Sequence, residues 1–177
     1  MHCFLQLFST GYERKKRGCL KTFETPSFSK ENRFFSKERI LLRETGSSLT
    51  ALYIGNDTIY SNRSLYSILI KDSSFKTKYI LGLLNSSLLQ WYYSTMFKGD
   101  TELFPKIRIA QARQLPIMRA TSEQQQQIID IVDRIIDIKR NNPNADTSSL
   151  ESEIDQQVYA IYSLTPDEIA VIEEDNL

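Results

Sequence analysis

Three basic side chains interrupt the apolar stretch ELFPKIRIAQARQLPI near the middle of the chain. Lys106 and Arg108 alternate with isoleucines, and Arg113 follows five residues later. Alternate residues of an extended strand share a face, so this pattern predicts two exposed cations above a buried apolar side. Lysine and arginine attract phosphates, and arginine can also bond a guanine edge through two hydrogen bonds. The chemistry that the stretch predicts is therefore the binding of a polyanion.

Catalytic motifs are missing from the sequence. It contains no glycine-rich nucleotide-binding motif, no nucleophile elbow and no Asn-Pro-Pro-aromatic box of the kind that amino methyltransferases place around a target base. Asp100, Glu102 and Lys106 are the residue types of a metal nuclease, but their spacing differs from such a set. The single histidine, His2, stands at the terminus. We therefore predict a non-catalytic chain with no metal site and no cofactor of its own.

Composition is that of an ordinary globular protein. The chain has 177 residues, 41% of them hydrophobic and 25% charged, which predicts one domain or one domain with an appendage. No apolar run approaches the roughly 18 residues that favour a membrane helix. The first residues do not resemble a secretory signal, and Cys3 and Cys19 lack a metal-binding spacing. We expect free thiols, a cytoplasmic location and no membrane partner.

A division of charge underlies the net charge of zero. Through Arg119 the sequence has 19 Lys and Arg against 9 Asp and Glu, a balance of +10. From Ala120 onward it has 3 against 13, a balance of −10. Such asymmetry carries information about partners rather than about fold. The basic part predicts a polyanionic ligand, and the acidic part predicts solvated helices or a protein contact.

Strand patterns begin at Arg39. The segment RILLRET predicts a strand that Gly46-Ser47-Ser48 ends, and LTALYIGNDTIYSN predicts a hairpin that turns at Gly55-Asn56-Asp57. SLYSILIK predicts a further strand, too continuously apolar for an edge strand with one buried side. Later in the chain, KIRIA and QLPIM predict one or two strands, and Pro116 indicates that the second lies at an edge or ends there.

Helix patterns cover much of the remainder. Apolar residues at spacings of three and four predict one helix over about 76–97, with Trp91, Tyr92 and Tyr93 in the core. Similar stripes predict helices over 122–140 and 147–163, joined by a short break as an antiparallel hairpin. A capping box starts the first of these, and Thr165 followed by Pro166 starts a last helix.

The predicted fold class is thus α+β, with a mixed β-sheet body and a long packed helix, followed by a C-terminal helical hairpin. We divide the chain into an N-terminal segment of unassigned structure, 1–38, an α+β body, 39–119, and an acidic helical appendage, 120–177. Asn85 and Ser86, inside the predicted helix over 76–97, are expected to serve local packing and hydrogen bonding.

The ordered series RILLRETGSSLTALYIGNDTIYSNRSLYSILI, YILGLLNSSLLQWYY and LFPKIRIAQARQLPI resembles a known family. It is similar to the C-terminal specificity, or target-recognition, domain of TaqI-like adenine DNA methyltransferases of the Eco57I type, found in type IIG restriction-modification enzymes. The resemblance extends over roughly Phe35 to Glu174. It implies double-stranded DNA as a partner and a methyltransferase or nuclease part, in the same chain or in a separate subunit. S-adenosylmethionine would belong to that other part.

The resemblance and the basic pattern together select nine candidate DNA-binding residues. Six are cations and three are polar residues in breaks beside strands: Arg43, Arg63, Lys98, Lys106, Arg108 and Arg113, with Ser47, Ser48 and Asn62. Each cation could equally be a solvated surface charge, and the polar residues could serve turn chemistry. An alternative function is a protein-interaction or assembly module that docks through its acidic helical hairpin.

Overall fold

The computed structural model describes residues 17–18, 38–46, 48–55, 64–97 and 106–175. Its main sheet has three strands: β2 (Arg39–Arg43), β3 (Ala51–Ile54) and β4 (Leu65–Ile68), in the order β3-β2-β4. Both pairings are antiparallel. Arg17–Gly18 (β1) also pairs antiparallel with Ile117–Met118 (β5). The predicted α+β class with C-terminal helices is confirmed, although every described pairing is antiparallel where a mixed sheet was expected.

Strand predictions from the first half of the body are largely confirmed. β2 ends before Gly46, whose φ of 145° is one that L side chains rarely adopt, and β3 lies where the first arm of the hairpin was predicted. The second arm, 58–62, lies outside the described residues. β4 was expected inside the sheet, but among the described strands it lies at an edge and pairs only with β2. Ile68 at its end is fully buried and belongs to the common core.

The helix expected over 76–97 is two helices, α1 (Thr77–Asn85) and α2 (Ser87–Phe97). Ser86 separates them in an extended conformation, with ψ of 151°. Its hydroxyl donates to the Leu83 carbonyl at 2.7 Å, and its own carbonyl accepts the N–H of Gln90 at 3.0 Å. The single long helix was wrong because a serine that bonds backbone locally competes with the helical pattern. Trp91, Tyr92 and Tyr93 lie in the core, as predicted.

The strand expected over KIRIA is also wrong for most of its length. Lys106 forms one antiparallel bridge with Thr45, and a single helical turn, α3 (Ile109–Ala112), follows. The turn forms because the Gln111 side chain folds back on it and accepts the backbone N–H of Arg108 at 3.2 Å. The strand predicted over QLPIM is observed as β5, which starts directly after Pro116.

The C-terminal helices are α4 (Ser122–Asn141), α5 (Ser148–Tyr162) and α6 (Pro166–Asp175). The capping box of α4 is formed between Thr121 and Gln124, as predicted, and α4 and α5 pack as a hairpin. α1 packs on α4, while α2 contacts α5 and α6. Buried residues from the sheet through α6 form one continuous cluster, so the hairpin shares its core with the body.

Two side-chain amides lie along the outer side of β3. Asn85 accepts the N–H of Ala51 and donates to the carbonyl of the same residue, both at 3.0 Å. Gln90 accepts the N–H of Leu49 at 2.8 Å and donates to its carbonyl. Asn85 has a hydrogen-bonding role, as expected, but its partner is 34 positions away in the chain rather than local. These amides connect the helices α1 and α2 to the sheet.

Candidate nucleic-acid interface

Three separate chain segments meet where β2 ends. The N–H of Arg43 donates to Thr50 O at 3.0 Å, and the N–H of Glu44 donates to Ser64 O at 2.9 Å. The N–H of Ile107 donates to Glu44 O at 2.8 Å. We call this place the Arg43 end of the sheet, formed by residues 43–46, 48–50, 64–66 and 106–108.

Four of the predicted site residues, three cations and one serine, lie exposed at the Arg43 end. Arg43, Ser48, Lys106 and Arg108 are exposed, whereas Ile107 between the last two is fully buried. The predicted alternation therefore holds over 106–108, where backbone pairing to Glu44 and Thr45 keeps the segment extended. Burial of Ile107 fixes the backbone, and its neighbours are presented to solvent.

α3 determines where Arg113 lies, the remaining candidate DNA-binding cation among the described residues. Arg108 precedes this helical turn and Arg113 follows it, and both are exposed. The turn is anchored because Ala112 is fully buried and Gln111 Oε1 accepts the hydroxyl of Tyr93 at 3.2 Å. The change from strand to helix thus puts Arg113 at the far end of α3 rather than on a strand with Lys106.

The other four candidates are not placed. Ser47, Asn62, Arg63 and Lys98 lie outside the described residues. Of the nine predicted site residues, the structure therefore brings four together at the Arg43 end and places a fifth, Arg113, beyond α3.

One acidic residue of the Arg43 end was not predicted. Glu44 Oε1 lies 3.7 Å from Lys106 Nζ, and the Glu44 carboxylate accepts the hydroxyl of Tyr66. Burial, then the charge of Glu44 and this hydrogen bond, raise the pKa of Tyr66 above its ordinary value. In the sequence, only the position of Glu44 directly after Arg43 points to a role at this site, because acidic side chains are not themselves expected to bind phosphate.

A groove of about 730 Å³ opens on another side of the molecule. It is bounded by β3, α1 and both helices of the hairpin, with Val132, Ile135 and Ile154 among its apolar residues. Leu52 beside it is 59% exposed. The groove has the apolar lining that suits a protein segment, and its rim carries Lys139, Arg140 and acidic residues of α5.

The described ranges contain neither a cluster of metal ligands nor a helix that could span a membrane. Within them, no group of three or more His, Cys, Asp and Glu side chains is arranged to hold a metal ion. None of the described helices combines the length and the apolar character that crossing a membrane requires.

Comparison with known proteins gives one family. No curated protein matches the chain. A family model described as the TaqI-like C-terminal specificity domain matches residues 10–117, well over half of the chain. The match begins before Phe35, where the resemblance in the sequence became clear, and it ends at Ile117, before α4. The chain therefore belongs to the family of TaqI-like C-terminal specificity domains, the recognition part of restriction-modification methyltransferases.

Proposed function

We propose that the chain recognises a specific double-stranded DNA sequence on behalf of an N6-adenine methyltransferase part of a type II restriction-modification enzyme. The observation that carries the proposal is the cluster of Arg43, Lys106 and Arg108, exposed on a backbone fixed by pairing and by the buried Ile107. Family membership supports the same function.

Fixed backbone matters for sequence recognition. Side chains that contact phosphate set the register of a protein on the duplex, and those that contact base edges select sequence. Arg43 and Arg108 have the fork of donors that bonds guanine, whereas Lys106 suits a phosphate as a point charge. We propose that the cations at the Arg43 end divide these two tasks, with Arg113 beyond α3 as a further phosphate contact.

The experiment is a salt titration of binding to a labelled duplex. Each phosphate contact contributes about 0.9 to the slope of log affinity against log salt. Replacing Lys106, Arg108 and Arg113 together with Ala should weaken binding and flatten that slope by up to about 3 if all three meet phosphate, or by about 2 if Arg108 contacts a base instead. The matched control replaces Arg134, Lys139 and Arg140 with Ala. These are the three basic residues of the acidic third, and their loss should leave the slope nearly unchanged.

Equal effects of the two triple variants would move the DNA-binding surface away from residues 106–113. No binding at about 50 mM salt, even together with a methyltransferase part, would reject DNA recognition. That result would favour the second candidate function, an assembly module that docks through the helical hairpin. The groove along α4 and α5 is the observation that supports this alternative.

A further inference from the structure

Glu44 joins the three segments of the Arg43 end through its backbone. Its N–H donates to Ser64 O, just before β4, and its carbonyl accepts the N–H of Ile107. Antiparallel pairing continues one step further, between Thr45 and Lys106. The residue therefore cannot move independently of the surface that presents the candidate DNA contacts.

The side chain of Glu44 is held more firmly than that of its cationic partner. Glu44 is 24% exposed and accepts the Tyr66 hydroxyl, while Lys106 is 60% exposed. The separation of 3.7 Å between Glu44 Oε1 and Lys106 Nζ is that of a loose ion pair. Lysine has a flexible stem of four carbons, so Lys106 can leave the carboxylate while the carboxylate stays in place.

The ion pair between Glu44 and Lys106 is not expected to stabilise the fold appreciably. Ion pairs that solvent reaches contribute little to folding, because screening and the loss of side-chain freedom offset the attraction. A carboxylate among cations also repels a phosphate that approaches them. It therefore competes with DNA for the ammonium group and opposes DNA directly.

We propose that Glu44 is a positioning residue that holds Lys106 at the Arg43 end and lowers the affinity of this surface for DNA phosphate. A phosphate must then replace the carboxylate before Lys106 can bind it. This inference rests on the proposed function, because it says how Glu44 regulates the affinity of the proposed DNA-binding surface. Glu44 thereby weakens nonspecific binding, because phosphates are present in every DNA sequence and carry no sequence information.

Glu44→Gln tests the proposal because it removes the charge, keeps the shape and retains an oxygen that can accept from Tyr66. Binding to a mixed-sequence duplex should become several-fold tighter, and the salt slope should steepen by up to about 0.9 for the phosphate that Lys106 gains. A merely structural role would weaken binding rather than tighten it. In a Lys106→Ala background the gain should shrink.

Glu38→Gln is the matched control, because Glu38 is exposed just before the other end of β2 and loses the same charge. The inference is overturned if Glu44→Gln binds like the wild type, like Glu38→Gln or more weakly. An undiminished gain in the Lys106→Ala background also overturns it, because the carboxylate would then act on DNA without Lys106. If the wild-type chain, with its methyltransferase part, binds no DNA, the proposed function itself fails, and the wild-type titration alone reveals this.

Discussion

Asp155 shows how a single residue of α5 controls the start of another helix. Its carboxylate accepts the N–H of Ser87 at 2.8 Å and the hydroxyl of Ser87 at 2.7 Å, and Ser87 is the first residue of α2. A carboxylate at a helix N-terminus satisfies a donor that the helix cannot and interacts well with the helix dipole. Ser86 breaks the helical path, and Asp155 stabilises the new start.

Ionisation of the Asp155 carboxylate is unfavourable in the folded protein. Burial, which outweighs the hydrogen bonds from Ser87, raises the pKa of Asp155 above its ordinary value, and Glu173 and Glu151 add to the effect. A raised folded-state pKa means that the folded chain binds the proton more tightly than the unfolded chain. The stabilising contribution of the proton is complete below the ordinary value of 3.8 and is lost as pH rises through the raised value.

We predict that Asp155→Asn, which cannot ionise but keeps an acceptor for the Ser87 N–H, gains stability relative to the wild type over that pH window. The difference in unfolding free energy should then stay constant at higher pH. Urea unfolding at a series of pH values measures it. Asp155→Ala also loses the cap and should be about 0.5–2 kcal/mol less stable than Asp155→Asn at every pH. A constant difference between wild type and Asp155→Asn at all pH values would contradict the assignment.

At the scale of residues, the sequence predicted which side chains are exposed better than it predicted which residues lie close together in space. The alternation of Lys106, Ile107 and Arg108 predicted which side chains are buried, because local spacing fixes it. The meeting of Glu44 with Lys106, and of Asp155 with Ser87, joins residues 62 and 68 positions apart. Such contacts depend on how the elements pack, and no local pattern in one sequence specifies that packing.

At the scale of elements, the closest approach of two helices depends on Gly82. A Cβ atom at this position of α1 would lie 2.6 Å from Ile128 Cγ2 on α4 and 3.4 Å from Val132 Cγ2. Ile128 is fully buried, and its branched side chain has few alternative conformations. The absence of a side chain therefore lets α1 and α4 pack closely.

We predict that Gly82→Ala destabilises the protein, although alanine favours a helix over glycine by about 1 kcal/mol. Overpacking costs about 1–3 kcal/mol, so the net loss should reach about 1 kcal/mol. Ile128→Leu removes the methyl group that the new Cβ would meet. In that background the cost of Gly82→Ala should fall in urea unfolding; stabilisation by Gly82→Ala alone would show that the helices can separate freely.

Element boundaries were predictable only where the sequence carries a specific signal. Thr121 with Gln124, and Thr165 with Pro166 and Glu168, form the helix starts that their residue types predicted. At Ser86 the apolar period continues across the break, so periodicity alone predicted one helix. At 106–112 the alternation is real but ends after three residues, where Gln111 stabilises a helical turn.

At the scale of the whole molecule, the change in charge after Arg119 does not separate two cores. Buried residues of the sheet, such as Ile40, belong to the same cluster as Ile172 in α6. The acidic third thus supplies much of the packing for the basic body. Composition identified two parts of opposite charge, but a sequence pattern cannot tell whether such parts pack separately or together.

We predict that body and hairpin unfold in one transition. Trp91, the only tryptophan, donates its indole N–H to Asp175 Oδ2 at 2.7 Å and so reports on the contact between α2 and α6. Tryptophan fluorescence and far-ultraviolet circular dichroism should give the same urea midpoint. An earlier fluorescence transition would mean that α6 separates before the other helices unfold.

The amides of Asn85 and Gln90 along β3 have a consequence for behaviour at high protein concentration. The exposed edge of a sheet is a template on which another chain can add a strand and begin to aggregate. At Leu49 and Ala51, the N–H and carbonyl groups that would recruit such a strand are already bonded to the two amides. Asn85 and Gln90 therefore block the pairing of an added strand at these two positions of the edge.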